Sequence, residues 1–316
     1  MATVLITGGT GMIGTALSKI LADNGFNVII VSRNPLETAA KHDYKARELY
    51  FRDTGKVYYS RWDIDKQYID PAALAEADYI VHLAGAGVAE KRWTESRKRE
   101  ILESRVRSSE FIVKALKENP NKVRAVVSSS AIGWYGADNG KPFVETDPHS
   151  HDFLGETCSA WEKSISGVTE LGKRLVILRT GIVMSNEGGA LAEFRKPMRT
   201  GVATILGSGN QVISWIHVED LCRLYMHAID EKEMSGVYNA VAPNPATNRE
   251  LTNILAQHVT NGRAITMKVP EFALKLALGE MSMEVLKSAT VSSAKVQSTG
   301  FQFIYPRLER AIESLY

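Results

Sequence analysis

The stretch Gly8-Gly9-Thr10-Gly11-Met12-Ile13-Gly14 constrains this chain more than any other. It follows the apolar run Val4-Leu5-Ile6 and opens a segment, Met12 to Asn24, with apolar residues at helical spacing. Strand, glycine turn and helix thus succeed one another. Gly9, Gly11 and Gly14 satisfy G-x-G-x-x-G, in which glycines let a backbone turn tightly, approach a pyrophosphate closely and point helix N-terminal N–H groups at it. A second apolar strand, Val28 to Val31, follows at the distance such a unit requires. These residues point to dinucleotide binding.

Apolar strand-like runs alternate with helical patterns through the first 180 residues. The expected strands are Thr3 to Thr7, Asn27 to Ser32, Lys56 to Ser60, Tyr79 to Leu83, Arg124 to Ser128 and Leu175 to Leu178. The expected helices are Met12 to Asn24, Pro71 to Glu76, Glu95 to Lys117 and Glu156 to Leu171. The strands are short, rich in Val and Ile and mostly uninterrupted by polar residues, as strands covered on both faces are. The alternation predicts an α/β protein with a Rossmann-type, doubly wound parallel sheet. Beyond Gly181 the pattern loosens. A helix at Val218 to Ile229, a strand at Val237 to Ala240, a helix at Asn248 to Val259 and a final helix at Pro306 to Leu315 are expected there. Residues 1–180 are read as the dinucleotide-binding domain and 181–316 as a smaller α+β substrate region, with part of 215–240 returning to the Rossmann core.

At 316 residues and 44% hydrophobic content the chain can bury one large core with a smaller appendage. Its 38 basic and 36 acidic residues nearly cancel, so neither nucleic acid nor an anionic membrane is an expected partner. No apolar run approaches the roughly 20 residues that span a bilayer. The first strand begins at once, so no signal peptide is expected and the location is read as cytoplasmic. Cys158 and Cys222 offer neither metal-ligand spacing nor a disulfide framework, and no metal is assigned.

The end of the second strand selects between nicotinamide cofactors. An acidic residue there hydrogen-bonds the ribose 2′-hydroxyl of NAD, whereas a cation accommodates the 2′-phosphate of NADP. This chain has Ser32-Arg33, so NADP(H) is expected.

The glycine turn, His82-Leu83-Ala84-Gly85 after the fourth strand, Ser128-Ser129-Ser130-Ala131 after the fifth, and Asn239 in Val237-Tyr238-Asn239-Ala240 resemble the extended short-chain dehydrogenase/reductase family. More narrowly, the chain is similar to its atypical YfcH-type branch of NAD(P)-binding, sugar-nucleotide-epimerase-like proteins. The segments that match include Lys91-Arg92-Trp93-Thr94, Glu103-Ser104-Arg105-Val106, Arg179-Thr180-Gly181, Trp215-Ile216-His217 and Gly300-Phe301-Gln302-Phe303. The resemblance implies that Gly8, Gly11, Met12, Ile13 and Gly14 cradle the pyrophosphate and that Ser32 and Arg33 meet the 2′-phosphate. It further implies an adenine contact at Asp63, a ribose contact along Leu83, Ala84 and Gly85, and a cofactor contact from Arg105, with Glu100 beside it.

Catalysis departs from the family pattern. The wider family pairs a tyrosine with a lysine four residues on, whose charge lowers the phenol pKa for proton exchange with substrate. None of the eleven tyrosines here has that lysine, and the expected register reads Cys158-Ser159-Ala160-Trp161-Glu162. The remaining candidates are Ser130 to polarise a carbonyl, Glu162 as base, Cys158 as weak acid or nucleophile, and Tyr135 as substitute acid. Each has a plainer reading, including a Glu162 paired with Lys163 or Arg179. Lys91, Arg92, Arg97, Lys98 and Arg99 around Trp93 suit either an anionic substrate, such as a nucleotide sugar, or a solvated helix face. Gly207 to Gly209 with Ser214 to His217 resembles a segment that covers substrate, His217 being read as structural. Apolar helix faces toward the C-terminus are expected to pack on the substrate region or form a homodimer contact. Two functions compete: an NADP(H)-dependent oxidoreductase or epimerase on a small anionic hydroxyl or carbonyl compound, and a non-catalytic NADP(H)-binding redox sensor.

Overall fold

A computed structural model of the protein describes residues 1–35, 37, 49–51 and 55–316. Its centre is the strand β1 (Thr3–Thr7), buried at every position. Residues alternate sides along a strand, so both faces of β1 must be covered. Val4 and Ile6 face one apolar layer, which includes Leu17, Leu21, Leu221 and Tyr225. Leu5 faces the other, with Ile80, Phe111, Ile112 and Ile165. Each such aliphatic side chain contributes about 1.5–3 kcal/mol on burial.

Seven further strands of the main sheet follow: β2 (Asn27–Ser32), β3 (Leu49–Phe51), β4 (Gly55–Asp63), β5 (Tyr68–Ile69), β6 (Tyr79–His82), β7 (Ala125–Ala131) and β8 (Arg174–Thr180). The helices between them are α1 (Met12–Asp23), α2 (Pro71–Glu76), α3 (Glu95–Glu118) and α4 (Phe153–Ile165). The chain then leaves the sheet through β9 (Ile182–Met184), α5 (Gly189–Met198), β10 (Val202–Leu206), β11 (Val212–Ile213), β12 (Trp215–His217) and α6 (Val218–Asp230). It returns as β13 (Gly236–Ala240), parallel to β8. The sheet order is β13-β8-β7-β6-β1-β2-β4-β3, with β5 also on β4. Pairing is parallel from β13 to β4, as expected, but β3 and β5 run antiparallel to β4, so the sheet is mixed at that edge. Two- and three-residue strands carry no readable period, which is why the sequence pattern missed them.

The rest of the chain comprises β14 (Ala246–Thr247), α7 (Asn248–Thr260), β15 (Ile265–Val269), α8 (Glu271–Leu278), α9 (Ser282–Leu286), α10 (Ala294–Ser298) and α11 (Leu308–Glu313). β10 pairs with β15, β11 with β14 and β12 with β9. A separate apolar core gathers Met184, Leu191, Met198, Trp215, Leu251, Leu255, Leu308 and Ile312. α7 starts with a full capping box, Thr247 with Glu250. The main departure among the helices is α4, which begins at Phe153 rather than Glu156. The Asp152 carboxylate caps it, accepting from Gly155 N–H at 2.8 Å. Residues 166–171, expected as its last turns, are a 3₁₀ segment. Among the described residues no helix is long and apolar enough to cross a membrane.

Candidate active site

The glycine turn joins the C-terminal end of β1 to α1, and each glycine answers a different constraint. Gly8 lies at φ +70°, and a Cβ there would sit 2.8 Å from the carbonyl of Leu83. A Cβ on Gly14 would stand 2.5 Å from Gly8 O, so the missing side chain lets the helix seat against the turn. Gly11 differs, since a Cβ there would meet nothing nearer than Gly8 O at 3.4 Å. The space above Gly11 is therefore open. No side chain caps α1, leaving the N–H groups at Met12, Ile13 and Gly14 aimed outward at the positive end of the helix. Open backbone, uncapped N–H groups and a helix dipole are what a pyrophosphate requires, so the residues present fit the group.

The residues expected along the rest of a dinucleotide line one sheet edge. Ser32 ends β2, in register with Arg61 of β4, and Asp63 ends β4 two residues on. The Ser32 hydroxyl accepts from Asn34 N–H at 3.3 Å, while Arg33 is exposed and makes no ion pair among the described residues. On the other side of β1, Leu83 N–H donates to Thr7 O, and Ala86 N–H donates to Ser104 Oγ at 2.9 Å. Arg105 donates to the carbonyls of Ala86 and Ile101 and lies over the Trp161 ring at 4.9 Å, against Gly85. Burial holds this guanidinium below its ordinary pKa. Glu100, expected beside Arg105, is instead 2.7 Å from Arg97.

Past β7 the four catalytic candidates converge, together with residues the sequence reading did not single out. Arg179 of β8 donates from Nε to Glu162 Oε1 at 2.8 Å and from its second terminal nitrogen to Oε2 at 2.9 Å. Ser130 donates to Glu162 Oε1 at 2.7 Å. The other guanidinium nitrogen reaches Tyr135 Oη at 3.0 Å and Glu145 O at 3.1 Å. Tyr135 in turn donates to Asn239 Oδ1 at 2.8 Å, whose backbone N–H meets Glu145 Oε1. Trp134 closes the cluster, with the guanidinium 3.6 Å over its ring. Arg179, Glu162, Ser130, Tyr135 and Asn239 are all buried.

This arrangement corrects several chemical expectations. Both oxygens of Glu162 are engaged by one fork-shaped cation, the geometry of a structural ion pair rather than of a base waiting for a proton. The Ser130 proton is directed at that carboxylate and not into open space. Burial, with Glu162 close by, pushes the Cys158 thiol up to about 12, so it has no thiolate with which to attack. Burial likewise raises the Tyr135 phenol, against the opposing pull of Arg179. The register also shifts by one helical turn. The α4 positions four apart that face the loop past Ser130 are Leu154 and Cys158, whose side chains a Cβ on Gly133 would meet at 3.1 and 3.7 Å. Glu162 sits one turn deeper.

Residues 4–241 match the model of the NAD dependent epimerase/dehydratase family. The chain belongs to that family. Residues 269–315 of this epimerase-family chain match a domain of unknown function, DUF1731. It is 34% identical to epimerase family protein SSP1921 of Staphylococcus saprophyticus over 98% of each chain. The human epimerase family protein SDR39U1, solved with NADPH, is similar at 28% identity and a TM-score of 0.83, over 99% of this chain and 98% of that one. A nucleoside-diphosphate sugar epimerase from Corynebacterium glutamicum is 30% identical with a TM-score of 0.73, over 98% of this chain and 57% of its own.

The substrate side of this family member is more closed than its basic residues suggest. Arg97 is buried, donating to Gly87 O and pairing with Glu90 at 3.0 Å as well as with Glu100. Lys98 pairs with Glu95 and, across the fold, with Glu280 at 2.9 Å. Gly207 packs against Leu286, and Ser214 Oγ donates to Ala289 O, so the C-terminal segment lies over the predicted covering loop. His217 caps α6, accepting from Glu219 N–H, and burial lowers it to about 4. Its structural reading agrees with this geometry. Arg179, Glu145 and Trp134 lie 17, 17 and 28 residues from Glu162 in the chain. The only signal for them was Arg179 in a matching segment.

Proposed function

We propose that this chain binds NADP(H) in preference to NAD(H) and acts as an oxidoreductase or epimerase on a small anionic hydroxyl or carbonyl compound, a nucleotide sugar being the first to test. The carrying observation is the pair Ser32-Arg33 at the tip of β2, next to the open space at Gly11, with Arg33 exposed and unpaired among the described residues. The similarity to a human relative solved with NADPH supports it, and so does the atypical YfcH-type pattern of the sequence. Gly8, Gly11, Met12, Ile13 and Gly14 would hold the pyrophosphate, Ser32 and Arg33 the 2′-phosphate, Asp63 the adenine, and Leu83, Ala84, Gly85 and Arg105 the nicotinamide half. Hydride chemistry belongs to the nicotinamide, and the chain supplies position.

The redox-sensor reading keeps one observation in its favour: Leu154 and Cys158 stand where a tyrosine and lysine would exchange protons, and Glu162 is held by Arg179. One experiment separates the two. Purified protein is given NADPH with pooled nucleotide sugars and small carbonyl compounds, and nicotinamide absorbance is followed. Oxidation of NADPH supports the enzyme. Tight NADPH binding without turnover across the panel supports the sensor, and no affinity for either pyridine nucleotide removes both.

A further inference from the structure

The turn that leads into α4 brings together three groups that the cofactor site does not use. His149, His151 and Glu156 each offer one ligand atom, and those atoms lie within 4.8 Å of one another. We propose that they form a binding site for a borderline divalent cation, zinc foremost, at the entrance to α4. Two imidazoles and a carboxylate are a donor set that suits Zn²⁺, which keeps a fourth position for water or an anionic ligand. With Zn–N and Zn–O bonds near 2.0–2.2 Å, two ligand atoms on a tetrahedral ion stand about 3.4 Å apart. His151 Nδ1 and Glu156 Oε1 are 3.1 Å apart, and His149 Nδ1 is 3.9 Å from the same oxygen. The adjustment needed is a few tenths of an ångström in side chains with room to move.

The placement is constrained as well as close. His149 and His151 sit two apart in the turn after Asp147, with rings 5.4 Å apart and nearly perpendicular. Glu156 rises from the first turn of α4, whose start is set by Asp152. Asp152 itself is engaged by Gly155 N–H and by Lys287 at 3.2 Å, so it stays out of the donor set and Lys287 is neutralised. The His149 ring meets the Trp134 indole edge-on at 5.3 Å, and Trp134 N–H donates to Asp147 O. A bound ion would tie the 149–151 turn to α4, one residue away from the indole that packs on Arg179. The sequence reading assigned no metal because it looked to cysteine spacing, whereas these ligands are histidine and glutamate.

The test uses the full chain without an affinity tag, stripped of metal and titrated with zinc against a chromophoric chelator. One equivalent should bind saturably. His151→Ala and Glu156→Gln should each weaken binding more than about tenfold, the least that loss of even an outer-shell partner costs. His258→Ala, far along the chain on α7, should leave it unchanged. Both test positions are exposed, so these variants retain the fold. Zinc should also change indole fluorescence in the parent protein and not in Trp134→Phe. Absence of saturable binding, or binding indifferent to His151→Ala, overturns the proposal, and neither result bears on the nucleotide site.

Discussion

The guanidinium of Arg179 is buried against Glu162, Tyr135 and the Trp134 ring, so a neutral side chain at 162 would leave a charge where water does not reach. Breaking a buried pair by removing one partner costs about 3–5 kcal/mol. Glu162→Gln is therefore expected to lower the thermal midpoint by many degrees with no substrate present. A wild-type melting curve would return Glu162 to the list of reacting groups. At the cofactor end, Arg33→Ala should weaken NADPH by roughly ten- to hundredfold, the range of one charge-assisted contact, and leave NADH nearly unchanged. Equal losses for both nucleotides in a binding titration would count against 2′-phosphate selection. Two buried histidines set a pH dependence. His82 accepts or donates at Thr7 Oγ1 and Ser109 Oγ, and burial lowers both His82 and His217 to about 4. The unfolded chain binds these protons first, so stability is full above about pH 6.5 and falls as pH drops toward 4, by about 3 kcal/mol per histidine at most. Urea unfolding at stepped pH measures this, and His82→Gln should flatten the slope.

At the scale of elements, the β1–turn–α1 unit was legible in full because its signals are local: a run of apolar residues, glycines at set spacing, then helical periodicity. Its glycines separate folding from binding. Gly14→Ala forces a Cβ against Gly8 O and should cost both stability and nucleotide affinity, whereas Gly11→Ala meets only a 3.4 Å contact and should melt near the parent while losing nucleotide affinity at least about tenfold. Matching losses in the two variants would mean Gly11 is a packing glycine. The start of α4 was misplaced by three residues, and the reason is physical. Phe153 and Leu154 already lie on its faces, and the Asp152 cap outweighs the helix-breaking tendency of Gly155, whose hydrogen buries against Ser150. That shift is what moved the proton-transfer positions from Cys158 and Glu162 to Leu154 and Cys158.

Across the whole molecule, the C-terminal stretch is part of the fold and not an attachment to it. Val296 and Phe301 lie in the main core, Leu308 and Ile312 in the second, and Val291 beside Tyr135. A chain ending at Lys268 is expected to lose cooperative urea unfolding, and a sharp transition in that variant would show the first 268 residues to be self-sufficient. The order of strands and the glycine turn were settled by the sequence alone, because apolar periodicity and backbone freedom act between neighbours in the chain. The closed cluster of Arg179, Glu162, Ser130, Tyr135 and Asn239 was decided only by tertiary structure. A buried charge accepts whatever partner the packing brings within reach, and residues from four separate stretches of chain meet there for the first time when the sheet closes.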